Sequence, residues 1–371
     1  MSTSHVTSGS LSTTTRQQSG SADGTEWLYF AEANRLHRIE VERLASGAQP
    51  GEHDEIAVPS ASDDETLGRD VNGMICAVPG RNGWLIAGED TGQPSPPAGW
   101  GLFDPTGQQR GKLTHTSAAS QPEPFGCAFD AAGRLVTSEV GDPGFGKSNG
   151  ALILWYPPFE HFPGEPHEYP ETNAKSANYC ILAEGIGTAG AVAIDAGGRI
   201  YLASSSRMTI YRFSPPFPSG PTASGGCGRT TSHGAPLADS VAKEVFVSAR
   251  ATFSGLTFAP NGNLYAASVA TGRINEYDPN GDFVRSILTP SEWLPPFSTG
   301  YPQGLAIDAE GTLYYADLDL TWQGSMPGPG PNGSIRRIRF DSDGNPLPPE
   351  TLLDGLAFPD AVSVLRSHPE R

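Results

Sequence analysis

Short apolar runs separated by glycine-containing turns recur along most of the chain. The stretch "GLAIDAEGTLYYAD", from Gly304, holds an apolar run, a turn and a second, alternating apolar run. The same arrangement is found in "GLTFAPNGNLYAAS", "AVAIDAGGRIYLAS" and "GCAFDAAGRLVTSE", and more loosely in "GMICAVPGRNGWLIAGE". Period-two alternation around such a turn predicts a β-hairpin. A third and a fourth strand are predicted after each hairpin, as in "IYRFS" and "EVFVSA", so the repeating unit is a four-stranded antiparallel sheet.

The two ends of the chain complete a sixth copy of this unit. "FPDAVSVL" (358–365) reads as a first strand with no partner after it. "EWLYFAEANRLHRIEV" (26–41) reads as second and third strands with nothing before them, and "DEIAVP" as the fourth. The pattern predicts an all-β fold, a six-bladed β-propeller whose ring is closed by pairing the C-terminal strand with N-terminal strands. A β-sandwich or a pair of barrels is the alternative.

Composition agrees with many short strands in a single domain. The chain has 45 glycines and 34 prolines in 371 residues, and its hydrophobic fraction is only 37%. Residues 1–24 are rich in Ser, Thr and Gly and have few large apolar side chains, which predicts a disordered tail. Residues 25–371 are then one propeller domain.

Charge and cysteine content narrow the partners and the compartment. The formal net charge of -17 argues against nucleic acid and against anionic membrane surfaces. No apolar run approaches the roughly 20 residues that span a bilayer, and no signal-peptide pattern is present at the N-terminus. The four cysteines show no CxxC spacing, so we expect buried free thiols and a reduced, cytoplasmic location.

Propeller geometry brings several polar residues to one mouth of the central channel. The segments before first strands and after second strands meet at one face, called the top face below. Second strands are predicted to end at carboxylates in four blades: Glu32, Glu89, Glu139 and Asp317. The first-strand side adds Asn72, Gln303 and Asp360. Converging carboxylates repel each other unless a cation or a proton offsets them, and hard oxygen ligands favour Ca²⁺ or Mg²⁺. Alternatively, each carboxylate accepts backbone N–H bonds in a turn.

Aromatic residues in long segments are predicted to surround the same mouth, and they suggest an organic ligand with an apolar portion. They are Trp100, Phe125, Trp293, Tyr301 and Trp322. The alternative is that these rings only pack the loops onto the blades. His37 and His115 are predicted in outer strands as ordinary polar residues. With no histidine expected beside Ser138, Ser204 or Ser268 and no G-x-S-x-G elbow, a serine hydrolase triad is disfavoured.

The "GLAIDAEGTLYYAD" repeat resembles the blades of the six-bladed calcium-dependent phosphotriesterase superfamily, which includes senescence-marker-protein-type gluconolactonases. Its blades are also similar to NHL repeats. The resemblance implies a calcium ion held by side chains just before first strands, in contexts such as N-G-[LM] and P-D-G-[LM]. "VNGMICAV" thereby nominates Asn72, and "FPDAVSV" nominates Asp360. The family's ligand Glu and second Asn are missing at their expected register, so Glu123 or a second-strand carboxylate such as Glu32, Glu89 or Glu139 would have to compensate. The predicted metal set is Asn72, Asp360, Gln303 and Glu32.

This resemblance implies a metal-dependent hydrolase of a small lactone or ester. The metal would polarise the substrate oxygen, and Glu139 or Glu89 would act as general base. Two alternatives stay open. One is a lyase or condensing enzyme, similar to strictosidine synthase, that uses a mouth carboxylate without metal. The other is a non-enzymatic, NHL-like binding propeller.

Overall fold

Six four-stranded antiparallel sheets arranged in a ring form the fold. The structure, a computed structural model, describes residues 26–32, 35–41, 54–57, 74–81, 83–89, 99–105, 109–115, 123–141, 149–157, 159, 178–323 and 326–366. The first strands of neighbouring sheets contact each other around a closed ring. The predicted six-bladed β-propeller is therefore confirmed. The predicted tail, residues 1–24, lies outside the described residues.

The strand bounds follow the repeat. Blade 1 contains β28 (Val362–Arg366), β1 (Glu26–Glu32), β2 (Arg35–Glu40) and β3 (Asp54–Ala57). Blade 2 contains β4 (Ile75–Ala77), β5 (Leu85–Glu89), β6 (Gly99–Phe103) and β7 (Gln109–Leu113). Blade 3 contains β8 (Pro124–Phe129), β9 (Leu135–Glu139), β10 (Ala151–Trp155) and β11 (Tyr179–Ala183).

The remaining blades have the same order. Blade 4 contains β12 (Ala189–Ile194), β13 (Ile200–Ser204), β14 (Thr209–Ser214) and β17 (Ala242–Ser248). Blade 5 contains β18 (Gly255–Phe258), β19 (Leu264–Ser268), β20 (Arg273–Tyr277) and β21 (Phe283–Leu288). Blade 6 contains β22 (Pro302–Ile307), β23 (Leu313–Asp317), β26 (Gly333–Ile338) and β27 (Glu350–Leu356). Buried apolar side chains fill the layers between neighbouring blades.

The C-terminal strand closes the ring, as predicted. Strand β28 pairs with β1 in antiparallel register, with Phe30 opposite Val362. Both ends of β1 are also tied to blade 6, because Glu26 Oε1 accepts a hydrogen bond from Ala309 N and Glu32 Oε1 accepts one from Ala357 N. Closure therefore depends on side chains as well as on strand pairing.

A repeated Asp turn explains the "DAxGR" signature at the bottom face. Asp130 Oδ1 accepts hydrogen bonds from the backbone N–H groups of Ala132 and Arg134, both at 2.9 Å. Gly133 follows with φ 74°, a left-handed conformation that glycine adopts without strain. Asp195 repeats the turn in blade 4. These aspartates are turn formers.

Glycines near the start of several first strands allow neighbouring backbones to approach closely. A Cβ on Gly255 would lie 1.8 Å from Gln303 O, and one on Gly304 would lie 2.9 Å from Asp360 O. Below these glycines the central channel holds a cavity of about 380 Å³ lined by first-strand residues. The glycine that precedes the apolar run in these repeats is therefore needed for neighbouring blades to pack into the ring.

Gly255→Ala is expected to destabilise the protein by about 3 kcal/mol or more, because the new methyl group would overlap a neighbouring backbone oxygen that has little room to move. Gly190→Ala is the matched control, since its Cβ would meet nothing closer than 3.7 Å. Urea unfolding of both variants measures the difference. Equal midpoints would contradict the close approach of blades 5 and 6.

Two disulfide bonds correct the expectation of free thiols. Cys76 in β4 is bonded to Cys127 in β8, and Cys180 in β11 is bonded to Cys227. Each pair joins residues of neighbouring blades or of a blade and an insert, so spacing along the chain did not reveal it. Disulfides persist in oxidising compartments, and the argument for a cytoplasmic location from reduced cysteines is therefore wrong.

The segment that joins β14 to β17 crosses from blade 4 to blade 3. It contains a short 3-10 helix (Ala223–Gly225) and the strands β15 (Arg229–Thr230) and β16 (Pro236–Leu237). Strand β16 pairs in parallel with β11, which extends blade 3 to six strands. The Cys180–Cys227 bond fixes the crossing. This insert covers the outer edge of blade 3, an edge that would otherwise be open to pairing.

A hairpin of β24 (Leu320–Gln323) and β25 (Met326–Pro329) projects from the top of blade 6. In the part of the chain that the structure describes, no helix is long and apolar enough to cross a membrane.

Candidate active site at the top face

Polar residues end the second strand of every blade at the top face. They are Glu32, Glu89, Glu139, Ser204, Ser268 and Asp317. These residues are equivalent positions of the repeat, because each second strand begins after the turn at the bottom face and ends at the same point of the repeating unit. The sequence therefore located these strand ends correctly.

Three of these carboxylates each have a basic partner of their own. Glu32 Oε2 lies 3.1 Å from His37 Nε2, and Glu139 Oε2 lies 3.2 Å from His115 Nε2. Asp317 Oδ2 lies 2.8 Å from Arg336 Nη2. Arg336 therefore offsets the charge of Asp317, and each of the other two carboxylates has an imidazole beside it. The prediction that His37 and His115 are ordinary polar residues of outer strands is wrong.

Asp317 holds the top of blade 6 together. Besides Arg336, it accepts hydrogen bonds from Tyr301 N at 2.8 Å and Ser334 Oγ at 3.2 Å. Asp319, at φ 48°, accepts one from Asn332 N at 2.9 Å at the base of the β24–β25 hairpin. Both aspartates are engaged as turn and loop acceptors, which is the structural alternative that the sequence left open.

The Glu139–His115 pair lies between blades 2 and 3. Glu139 ends β9, and its side chain is 2% exposed. His115 follows β7, the outer strand of blade 2, and its side chain is 8% exposed. The imidazole packs edge-on against Trp155 and Tyr179, with ring centroids 5.9 and 6.0 Å apart. These rings separate the pair from bulk water on the blade side, which strengthens the carboxylate–imidazole interaction.

The two nitrogens of His115 differ in their surroundings. Nε2 faces the Glu139 carboxylate, whereas buried Nδ1 has no hydrogen-bond partner among the described residues. A carboxylate beside Nε2 favours the tautomer with the proton on Nε2, which leaves the Nδ1 lone pair free to accept a proton. Because a buried acceptor without a partner costs about 1–3 kcal/mol, a water molecule or a ligand group would be stabilised there.

The Glu32–His37 pair in blade 1 has a different environment. His37 stacks on Phe30 at 5.1 Å, inside the sheet. Glu32 Oε1 accepts a hydrogen bond from Ala357 N of blade 6, so both of its carboxylate oxygens are engaged. This pair closes the ring between blades 1 and 6.

The nominated metal ligands lie on neighbouring blades. Asp360 and Glu32 are at the top of blade 1, on either side of the bond from Ala31 N to Ala361 O. Gln303, half-buried in β22, is on blade 6. Asn72 lies outside the described residues. Both oxygens of Glu32 already have protein partners, and Asp360 is 5% exposed. The metal-ligand set stays a prediction.

Among the described residues, one group of three carboxylates has ligand atoms within 4.8 Å of one another: Glu26, Asp308 and Glu310. It lies at the bottom face, away from the mouth. Asp308 Oδ1 accepts a hydrogen bond from Thr312 N and Oδ2 one from Tyr314 OH. Burial, followed by the neighbouring Asp308 carboxylate, raises the pKa of Tyr314, so its hydroxyl remains a donor.

The aromatic residues predicted to bind substrate are dispersed. Trp100 lies within β6, 1% exposed, in the apolar layer beside blade 2, so its assignment to a loop over the mouth is wrong. Phe125 is half-buried in β8 and packs against the layer between blades 4 and 5. Trp322 lies in β24.

Tyr301 and Trp293 belong to the loop between blades 5 and 6. Tyr301 is 7% exposed and packs against Phe297, and burial, then the charges of Asp317 and Asp319, raise its pKa. Trp293 is 92% exposed. Hydrogen bonds from Ser291 and Ser298 lower the pKa of the neighbouring Glu292 to about 2, so the loop is braced while Trp293 points into solvent.

The remaining catalytic candidate, Glu89, ends β5 in blade 2. Ser138 bridges blades 3 and 4, since its hydroxyl donates to Gly190 O and accepts from Gly126 N. Its hydroxyl is therefore engaged between the backbones of these two blades.

Comparisons with known proteins agree at the level of the fold. Neither a scan against protein-family profiles nor a search of curated sequences gives a match. A nidogen/laminin complex structure matches with a TM-score of 0.55 at 12% identity, over 93% of this chain and 100% of that chain. A luciferin-regenerating enzyme matches with a TM-score of 0.53 at 12% identity, over 94% of both chains.

A protein of unknown function from Bacteroides caccae matches with a TM-score of 0.52 at 11% identity, over 92% of this chain and 99% of that chain. At 11–12% identity, these three likenesses show the fold alone. The resemblance stated from the repeats is therefore confirmed for the fold. The same fold serves an enzyme in one case and is found in a protein–protein complex in another, so function depends on the site.

Proposed function

We propose that this propeller is an enzyme that transfers a proton on a small organic substrate, as a lyase or hydrolase, without a metal ion at the mouth. The observation that carries the proposal is the buried Glu139–His115 pair at the top face. His115 would be the acid–base group, and Glu139 would orient it.

The chemistry follows from the two imidazole nitrogens. Neutral His115 would accept a substrate proton at Nδ1, while Glu139 at Nε2 stabilises the imidazolium that forms. In an elimination, the electron pair of the broken C–H bond would form the double bond as the leaving group departs with the proton from His115. In a hydrolysis, His115 would take the proton from an attacking water, whose oxygen bonds to the substrate as the leaving group departs with that proton. Placement among Trp155 and Tyr179 limits water around the pair and thereby strengthens its electrostatic coupling.

The calcium-dependent lactonase remains the competing proposal, because the "GLAIDAEGTLYYAD" repeat resembles the blades of the gluconolactonase-like superfamily. It would need Asn72, Asp360, Gln303 and Glu32 as ligands. Since both oxygens of Glu32 are engaged by His37 and Ala357, a metal there would have to displace the interactions that close the ring.

A substrate screen with and without chelator separates these proposals. Purified protein is assayed against panels of lactones, esters and substrates of β-elimination, in EDTA and in added Ca²⁺. Turnover that persists in EDTA is the expected result. Turnover that is lost in EDTA and restored by Ca²⁺ would replace our proposal with the metal-dependent hydrolase, and no turnover in either buffer would favour a binding propeller.

A further inference from the structure

An open groove lies at the bottom face between blades 4 and 5. Its cavity is about 360 Å³, and its walls are the turns that follow β12 and β18. The groove is lined by side chains that include Arg199, Tyr201, Phe246, Phe258, Pro260 and Pro279. Tyr201 packs edge-on against both Phe246 and Phe258, at 4.9 and 5.1 Å. The floor is therefore rigid and aromatic.

The equivalent groove between blades 3 and 4, called the filled groove, is occupied by the chain itself. Arg134 Nη1 and Tyr156 OH both donate to Pro218 O, each at 2.9 Å. Phe217 packs against the apolar layer between the two blades, and Pro218 is buried. This "PPFP" segment begins the insert that joins β14 to β17. Burial raises the pKa of Tyr156 to about 12, so its hydroxyl stays a donor at neutral pH.

Arg134 and Arg199 occupy the same position of the repeated turn. Arg134 Nε pairs with Asp130 at 2.7 Å, and Arg199 Nε pairs with Asp195 at 2.6 Å. The Arg134 side chain is 20% exposed under Pro218, whereas the Arg199 side chain is 38% exposed. Among the described residues, Asp195 is the only hydrogen-bond partner of the Arg199 guanidinium.

In the part of the chain that the structure describes, no segment fills the open groove, because blade 5 has a short turn where blade 4 has the insert. In blade 5 the link from β20 to β21 is the tight turn Asp278–Asp282, closed by the bond from Asp282 N to Asp278 Oδ1. Arg212 Nη1 donates to Pro279 O and so fixes the groove wall. The Arg199 guanidinium thus occupies the position of Arg134, and no described residue covers the aromatic floor beside it.

We propose that the open groove binds an extended segment of a partner protein in which prolines flank an aromatic residue. A backbone carbonyl of the segment would accept a hydrogen bond from Arg199, as Pro218 O does from Arg134 in the filled groove. Proline-rich segments lose little entropy on binding because they are already extended, and aromatic grooves recognise them for that reason. The net charge of -17 favours a neutral or basic segment over an acidic one.

The probe is the acetylated, amidated peptide Ser-Pro-Pro-Phe-Pro-Ser-Gly, which has the sequence of residues 214–220. Its binding to the intact protein is measured by NMR titration and calorimetry. Saturable binding is expected, and the peptide with alanine at all three proline positions is expected to bind at least about tenfold more weakly. No binding, or equal binding of the two peptides, would overturn the proposal.

Two exposed alanines at the same turn position supply matched variants. Ala196 lines the open groove, and Ala131 is its equivalent in blade 3. Ala196→Trp is expected to abolish peptide binding, whereas Ala131→Trp is expected to leave it unchanged, with both variants melting close to wild type. Arg199→Gln is expected to weaken binding about tenfold or more, since it removes a charged hydrogen-bond donor. Full binding by Ala196→Trp would show that the peptide binds elsewhere and would overturn the assignment.

Discussion

Replacing Cys76 and Cys127 together by serine is expected to lower the free energy of unfolding by about 4 kcal/mol. The bond closes a loop with a sequence separation of 51 residues, and the chain-entropy relation for a loop of this length gives a loss of that size. The bond also joins the first strands of blades 2 and 3, beside the central channel. Urea unfolding of the double variant against wild type measures the loss.

The second disulfide gives a control with a similar loop and a different position. Cys180 and Cys227 are separated by 47 residues, so the same relation gives about 4 kcal/mol. Their bond ties the insert to blade 3, whereas the first bond joins two blades. Loss of the second bond is therefore expected to loosen strands β15 and β16 first, seen as faster amide exchange there. Free thiols in oxidised wild-type protein, with unchanged urea midpoints in both double variants, would contradict both bonds.

These bonds also bear on where the protein works. Reduction of both would remove stabilisation comparable with the 5–15 kcal/mol that holds a typical domain folded. A protein that depends on two disulfides is suited to an oxidising compartment. We therefore propose a location outside the reducing cytoplasm, in place of the cytoplasmic expectation.

The ring could be predicted from the sequence because each blade repeats one local pattern. A strand, an Asp turn with a left-handed glycine and a second strand recur, as at Asp130 and Gly133. Local hydrogen bonds fix such turns, so the residue that ends each second strand, such as Glu139 or Asp317, follows by counting. The split blade followed from the unpaired strands at the two ends of the chain.

The contacts between blades could not be predicted in the same way. His115 reaches Glu139 because the outer strand of blade 2 packs against blade 3, and the repeat says nothing about which side chains meet there. The Cys76–Cys127 bond likewise joins strands of different blades. Trp100 was assigned to a loop because prolines and glycines precede it, although β6 begins one residue earlier and buries it. Burial between layers depends on packing that a single sequence does not display.

Replacing His115 by glutamine is expected to reduce kcat/KM by about 10²–10⁴-fold on whichever substrate the screen identifies, the range that a general acid–base group contributes. This expectation rests on the proposed function. Glu139→Gln is expected to lower kcat as well, because the imidazolium at His115 loses its carboxylate partner. Steady-state kinetics across pH measures both effects.

The Glu32–His37 pair supplies the control that separates chemistry from packing. It has the same residue types at a similar distance, but it is engaged in closing the ring between blades 1 and 6. His37→Gln is therefore expected to lower the melting temperature and to leave kcat and its pH profile close to wild type at temperatures where the protein is folded. If the His37 and His115 variants lost activity equally, in proportion to their lost stability, the Glu139–His115 pair would be structural and the proton-transfer proposal would fail.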